Sequence, residues 1–500
     1  MRQTLHIFKK DVRHLWFEIV VAILMAVAFA FIGARRAQWL VLPETNRIAA
    51  WTMVIFLLPL TWWTLIARAI HDETLPGDRQ FWITRPYSWK SLMGAKLLFV
   101  LIFVNLPIFL ADVVIIHAYG LPLRTEMFGL LWSQVLLDIV FVIPIAALST
   151  LTAGFVQLLF AILMPCVVGL GVAIAAPEMV LGRFSGGPDW VNHYFAMFVV
   201  GVAGSAILIW QYSTRRTITG RSLAIASGIL AFLGMALIPW SAAFKVQSWF
   251  SNDSVSRSLV HVDFDRDKKW LTRAVTEAGD HVRIELPLKI TGLPPDVIVK
   301  SEGFSMGLQS SDGTTWKAEQ LPLGVASKLG SEFSLRATMD GGLFRKVKDQ
   351  ETRISGSLYI TVFGNRQKVH VPFSDHLVPV ARVGVCSASE GATRQSSFLI
   401  CTSAFRFPPL LVSYRFMQST PESAQDVWTA TEPRAISYSP FPAQAGINPV
   451  SQDFTFSSAP VKVSEARIET AEILAHIRQN FRIEHLRLAD FEERASHTTP

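Results

Sequence analysis

HDETLPGDRQFWITRPYSWKSLMGAK, His71 to Lys96, separates two long apolar runs, Ile48–Ala67 and Leu97–Ile116. Each run is long enough to cross a bilayer core as a helix, which takes about 20 predominantly apolar residues. The connection carries Arg79, Arg85, Lys90 and Lys96, with Arg68 just before it. Lys and Arg accumulate in cytoplasmic loops, so this loop is expected inside. It also carries Asp72, Glu73, Asp78, Phe81, Trp82 and Trp89, more than a plain connector needs. That makes it read as a docking surface for a cytoplasmic partner.

Working outward, further apolar runs lie at Leu15–Ala34, Met127–Ser149, Ala153–Ala176, Tyr194–Tyr212 and Ser222–Phe244, and the third span extends over Leu97–Ala118. The fourth and fifth form one run, divided here near Thr150–Gly154. Seven spans put the termini on opposite sides. Arg2, Lys9, Lys10 and Arg13 at the N-terminus, and Arg215, Arg216 and Arg221 after the sixth span, favour the inside together with the 71–96 loop. Arg35, Arg36 and Arg47 run against this order. The balance places the N-terminus in and the C-terminal part out, in a bacterial inner membrane. The first apolar run is long and no small-x-small site ends it, so a cleaved signal peptide is not expected. Within residues 1–14, Leu5, Phe8 and Val12 share a helical face with Leu15. That pattern suits an amphipathic helix lying in the inner interface, although a plain basic tail would carry the same charges.

The chain has 500 residues, 51% of them hydrophobic, which is high for an ordinary soluble protein. Its net charge of +7 sits entirely in the first 250 residues, with 18 Lys+Arg against 11 Asp+Glu; the remainder is balanced. Cytoplasmic anchoring explains this excess, and no nucleic-acid partner is needed. From about Ser251 the apolar runs give way to short alternating segments such as Val282–Leu288, Ser357–Phe363 and Lys368–Phe373, with Gly and Asp turns between them. Such spacing suggests a β-sandwich, one large or two small. A late helix is expected at Ser464–Gln479, then a strand at Phe481–Leu486. The expected fold is a polytopic α-helical membrane domain of about seven spans (15–248), followed by an all-β, sandwich-like extracytoplasmic domain (251–500).

Cys166 lies in an apolar span and reads as packing. Cys386 and Cys401 fall in two strand-like pieces, Ala381–Ser387 and Ser397–Ser403, which could pair as a hairpin. In an oxidising compartment a disulfide follows; otherwise the two are free buried thiols. No P-loop, H-E-x-x-H or C-x-x-C pattern occurs, and the histidines do not cluster at metal-ligand spacing. No catalytic constellation is read, so neither an enzyme activity nor a metal is expected. Polar groups at membrane depth are more informative, because a charge there costs roughly 2.5–3.5 kcal/mol on insertion scales. Asp112 lies near Asn105 and Pro107, and Asp138 lies one turn after Gln134. Asp112, Gln134 and Asp138 therefore mark a translocation path or a helix–helix contact. Asp112 could instead reach headgroups, as could Glu18.

The membrane half resembles the permease subunits of ATP-binding-cassette exporters of the ABC-2 type. The resemblance rests on a basic amphipathic N-terminal helix, then two spans, then Glu73, Phe81-Trp82, Arg85-Pro86 and a Lys96 that enters span three. It covers roughly the first half of the chain. It implies that residues 72–90 form a short helix seated in a cleft of an ATPase subunit, with Asp72, Glu73, Asp78, Arg79, Phe81, Trp82, Arg85 and Pro86 in or beside the contact. Phe81, Trp82 and Trp89 could equally anchor the loop at the headgroups. ATP and magnesium would belong to that separate ATPase and no cofactor to this chain. A second permease copy or a sister chain would complete the path. The extra span and the large β-domain depart from the family pattern, and the cargo is not implied. The alternatives are a seven-span sensor whose external β-domain binds a ligand, and a membrane-anchored external enzyme.

Overall fold

The computed structural model of the chain describes residues 2–35, 44–73, 88–175, 189–250, 260–276, 279–293, 297–320, 332–372, 374–380, 383–390, 397–404, 410–418, 434–435, 450–457 and 463–493. A helical region comes first. Its helices are α1 (Arg2–His14), α2 (Trp16–Arg35), α3 (Glu44–His71), α4 (Trp89–Ala118), α5 (Leu123–Leu151), α6 (Phe155–Ala175), α7 (Asp189–Thr214), α8 (Thr217–Leu237) and α9 (Trp240–Ser248). Among the described residues, five helices are long and apolar enough to cross a membrane: Trp16–Ala34, Trp89–Ala118, Leu123–Leu151, Trp190–Thr214 and Thr217–Leu237. The expected spans Ile48–Ala67 and Ala153–Ala176 fall on α3 and α6, which do not join that set. The division between the fourth and fifth runs lies where expected, because Thr152 turns to extended backbone after Leu151. The last expected span, Ser222–Phe244, is broken: α8 stops at Leu237 and α9 begins after Pro239, which has no N–H to continue the ladder. Large apolar side chains such as Phe17, Leu24, Phe31, Val167, Phe198 and Ile225 remain exposed around the bundle, as suits a surface solvated by lipid.

Two helices change pitch in matching places. In α4 the turn Leu101–Asn105 widens to a π-turn, and in α5 the turn Asp138–Val142 does the same. Each is followed two residues later by proline, Pro107 and Pro144. Proline lacks an N–H and its ring crowds the carbonyl four residues back, so a widened turn relieves both faults.

The bundle has two distinct ends. At one, Arg68 near the end of α3 pairs with Glu18 at the start of α2. There too His71 Nε2 lies 3.2 Å from Thr152 Oγ1 beyond α5. The Arg221 guanidinium of α8 donates to the Leu151 carbonyl at 2.9 and 3.2 Å. At the other end Gly33 of α2 meets Ile115 of α4, Trp132 stacks on Tyr194, and Gly234 of α8 meets Phe195.

The β-rich part holds three sheets. The first orders β1 (His261–Phe264), β3 (Gly279–Thr291), β2 (Leu271–Thr276) and β15 (Glu492–Glu493), with β6 (Glu332–Asp340) also on β3. The second orders β13 (Val450–Ser457), β10 (Ser397–Ala404), β9 (Gly384–Glu390) and β8 (Ser374–Val380). The third orders β12 (Arg434–Ala435), β11 (Leu410–Gln418), β14 (Val463–Arg487), β7 (Glu351–Pro372), β4 (Ile298–Ser310) and β5 (Thr315–Gln320). Strands β7 and β14 run 22 and 25 residues and pair along most of that length. One stretch of this ribbon, with Leu358, Ile360 and Ile477, packs with Leu286, Leu288 and Leu335 of the first sheet. Another, with Val371, Ala466 and Ile468, packs with Cys386, Ala388 and Leu399 of the second. The expected sandwich, one large or two small, is thus three sheets sharing one long ribbon that packs in two separate clusters. The expected helix at Ser464–Gln479 is strand throughout: its Glu and Ala residues favour helix, but pairing on both sides with β11 and β7 overrides that preference.

Candidate functional site

Ile7 and Asp11 of helix α1 and Leu15 just past its end lie on one buried face, four residues apart. Leu5, expected on that face, is 48% exposed. The helix packs on the start of α4, and the reason lies in its charges. Asp11 Oδ2 receives a hydrogen bond from Lys96 Nζ at 2.8 Å. The same ammonium lies 3.6 Å from Glu73 Oε1, which Lys10 approaches at 3.7 Å. Lys96 is 7% exposed and Glu73 3%. Lys96 and two carboxylates thus form a buried cluster, with the exposed Lys10 at its edge, binding α1, the end of α3 and the beginning of α4. Burial pushes the Asp11 carboxyl upward, and Lys96 pulls it back down. Asp72 faces His14 at 3.3 Å. Of the residues assigned to ATPase contact, Asp72 and Glu73 are therefore placed, whereas Asp78, Arg79, Phe81, Trp82, Arg85 and Pro86 lie outside the described residues. Lys96 is not at the mouth of a loop: helix α4 already starts at Trp89, capped by the Ser88 hydroxyl accepting from the Ser91 N–H.

Above the cluster lies a cavity of about 360 Å³ between α3, α4, α5 and α7. Its walls are apolar, from Ile66, Ile70, Phe99, Val142, Ala146 and Leu208 among others, and its polar lining is Lys96, Asn105, Asp138 and Tyr212. Asn105 Nδ2 donates to Asp138 Oδ1 at 2.9 Å, joining the two π-turns directly. Extra residues in a helical turn recur at functional sites because they re-aim side chains. Asp138 thus lines the cavity. Gln134 lies one turn before it, outside the cavity lining, with a buried side-chain oxygen lacking a partner. Asp112 is not brought to them. It lies two turns beyond Asn105, about 10 Å along the axis, buried, with Oδ1 unpartnered. Glu18 is held by Arg68 rather than left free.

A second polar chain joins the two halves of the protein. The Trp190 indole N–H of α7 donates to Gln247 Oε1 of α9 at 3.3 Å. The Gln247 amide lies 3.1 and 3.2 Å from the ring nitrogens of His476 on β14. His476 Nδ1 is 2.9 Å from Thr361 Oγ1 on β7. Burial holds His476 near pKa 3, so its ring is neutral and can accept from the amide. Beyond Thr361 comes Glu302, fully buried; desolvation pushes its carboxyl up, while Lys300 and the Thr361 hydroxyl pull it back. Around this chain Trp240 and Phe244 pack edge-on to Tyr359, with ring centroids 4.7 and 5.1 Å apart. Val385 and Ala404 of the second sheet join the hydrophobic cluster of the helices. None of these groups stands out in the sequence, since the hydrogen-bonded pairs lie 57, 115 and 229 residues apart. Asp11 is different: a carboxylate interrupting the apolar face of α1 is a readable signal.

Cys386 and Cys401 are bonded, as directly paired residues of β9 and β10 with Cα atoms 4.1 Å apart. Cys166 is exposed on the outer surface of α6 rather than packed inside. Among the described residues no group of three or more His, Cys, Asp or Glu is placed to hold a metal ion. Gly303-Phe-Ser-Met-Gly307 spells the G-x-S-x-G pattern of hydrolase nucleophiles. Here it lies within β4, with Ser305 paired to both Glu319 and Ser357, not on the strained strand-to-helix turn that exposes such a serine. No family model matches the chain, and a search of curated proteins returns no match.

Proposed function

We propose that the chain is the membrane permease subunit of an ATP-binding-cassette transporter, with the Lys96 end of the bundle in the cytoplasm and the β-rich part outside. The observation that carries this reading is the Asp11–Lys96–Glu73 cluster. Segment 74–87 leaves the chain at Glu73 and returns at Ser88, eight residues before Lys96. A push on that segment by a nucleotide-driven ATPase would reach α1, α3 and α4 through one buried ionic knot. Rigid-body transmission of this kind needs such a joint, because loosely held loops absorb motion. The knot also borders the cavity, so displacement of α4 would reshape the place where cargo could sit. The ATPase would be a separate chain holding ATP and magnesium, and a second permease copy or sister chain would complete the path. Basic side chains support the orientation: Lys10, Arg13, Arg68, Lys90, Lys96 and Arg221 gather at the proposed inner end.

Co-expression with an ATP-binding-cassette ATPase encoded beside the gene tests this. The expected result is a stable complex that Trp82→Ala and Arg85→Ala weaken. Absence of a complex, or indifference to both substitutions, overturns it. A sensor reading draws on the polar chain from Trp190 to Glu302, which ties the β-rich part to α7. A neighbouring kinase or regulator gene in place of an ATPase would favour it.

A further inference from the structure

The cavity between α3, α4, α5 and α7 has an unbalanced charge. Lys96, at its edge, is neutralised by Asp11 and Glu73. Asp138 accepts from the neutral Asn105 amide, and no cation among the described residues pairs with it. The Tyr212 hydroxyl, in the same lining, is 4% exposed and lacks a hydrogen-bond partner. The remaining walls are aliphatic or phenyl. A carboxylate removed from water is costly unless a positive charge or a set of donors meets it. A volume of about 360 Å³ lies within the roughly 300–1,000 Å³ of small-molecule sites, which pair apolar walls with a few placed polar groups. Leu97 and Leu101, both exposed at the rim, open the cavity sideways to the outer, lipid-facing surface of the bundle.

We propose that this cavity binds an amphiphilic cation, a bulky apolar body with one positive charge, entering from the bilayer and placing its charge between Asp138, Asn105 and the Tyr212 ring. The carboxylate supplies the counter-charge, and the Tyr212 face and Phe99 supply aromatic surface, which attracts cations. The apolar body fills the space lined by Ile66, Ile70, Ala146 and Leu208. This deepens the transport reading by naming a cargo class, and it rests on that reading only for the steps after binding. Its test uses this chain alone, so its failure and the failure of ATPase coupling are distinguishable.

Equilibrium binding of tetraphenylphosphonium to the purified full-length chain in detergent is compared with that of tetraphenylborate, an anion of the same shape. The expected result is saturable binding of the cation, with the anion at least tenfold weaker. Asp138→Asn should weaken the cation at least tenfold and narrow the difference between the two ions. Ala146→Phe, which fills the cavity without touching a charge, should reduce binding of both; it decides the matter should Asp138→Asn fail to fold. Equal binding of the two ions, preference for the anion, or undiminished cation binding in either folded variant overturns the proposal.

Discussion

Lys96 is one side chain on which three helices converge, and its surroundings set the sign of substitutions there. Lys96→Met leaves Asp11 and Glu73 buried without their common cation, so destabilisation of about 3–5 kcal/mol is expected in thermal melts of the detergent-solubilised protein. Adding Asp11→Asn to that variant should recover part of the loss, because the two side chains are coupled. Asp112 gives the opposite expectation. Its buried Oδ1 has no partner, so Asp112→Asn should leave the melting temperature unchanged or raise it. A clear fall would mean that the carboxylate is satisfied by something else. His476 makes stability depend on pH. Its folded pKa, about 3, lies below the ordinary value of about 6.5, so the unfolded chain takes up the proton first. The stability tied to the neutral ring is present above pH 6.5 and is lost as the pH falls towards 3. By pH 5 the loss is about 2 kcal/mol. Glu302, with its folded pKa raised, pulls the other way over its own acidic range. The comparison of wild type with His476→Gln between pH 7 and 5 isolates the histidine. The wild type should lose more stability on acidification, and equal slopes would remove the buried neutral ring from the account.

At the level of elements, the legible parts were those whose pattern is local. Apolar runs become helices because a backbone in lipid must satisfy its own hydrogen bonds. The break after Leu151 and the hairpin that joins Cys386 to Cys401 were readable from a few residues each. Removing that cross-link by Cys386→Ser with Cys401→Ser should cost about 3 kcal/mol, the loop-closure value for its separation of 15 residues, and should lower the melting of the β-rich part. An unchanged melt would show that β9 and β10 hold without it. Strand β14 was not legible, because Glu, Ala and Ile in Ser464–Gln479 fit a helix until β7 and β11 are placed beside them. The face of α1 was half legible. Its amphipathic period was right, but Asp11 turns the buried side towards Lys96 and away from Leu5. The π-turns of α4 and α5 could have been suspected from Pro107 and Pro144, although their joining through Asn105 and Asp138 depends on helix packing that no local pattern encodes.

Across the whole molecule, the two ends of the bundle differ in kind. One gathers basic side chains and the ionic knot; the other meets a disulfide-bearing β-rich part through α9, Trp190 and the His476 chain. The basic loops showed this division in the sequence, whereas the docking of the β-rich part onto α7 required the fold. In the proposed permease, a push at the basic end would be carried through this junction to the β-rich part. Cutting the junction should separate the two: Gln247→Ala should lower cooperativity between melting of the helical and β-rich parts, seen as two transitions in place of one. A single unchanged transition would deny the junction its coupling role. The most direct measurement of the central claim is photocross-linking in cells from a reactive amino acid placed at position 82, in the 71–96 segment. The account predicts a cross-link to the ATP-binding-cassette ATPase that depends on its nucleotide state. Cross-links to lipid alone, or labelling of that position from outside the cell, would contradict it.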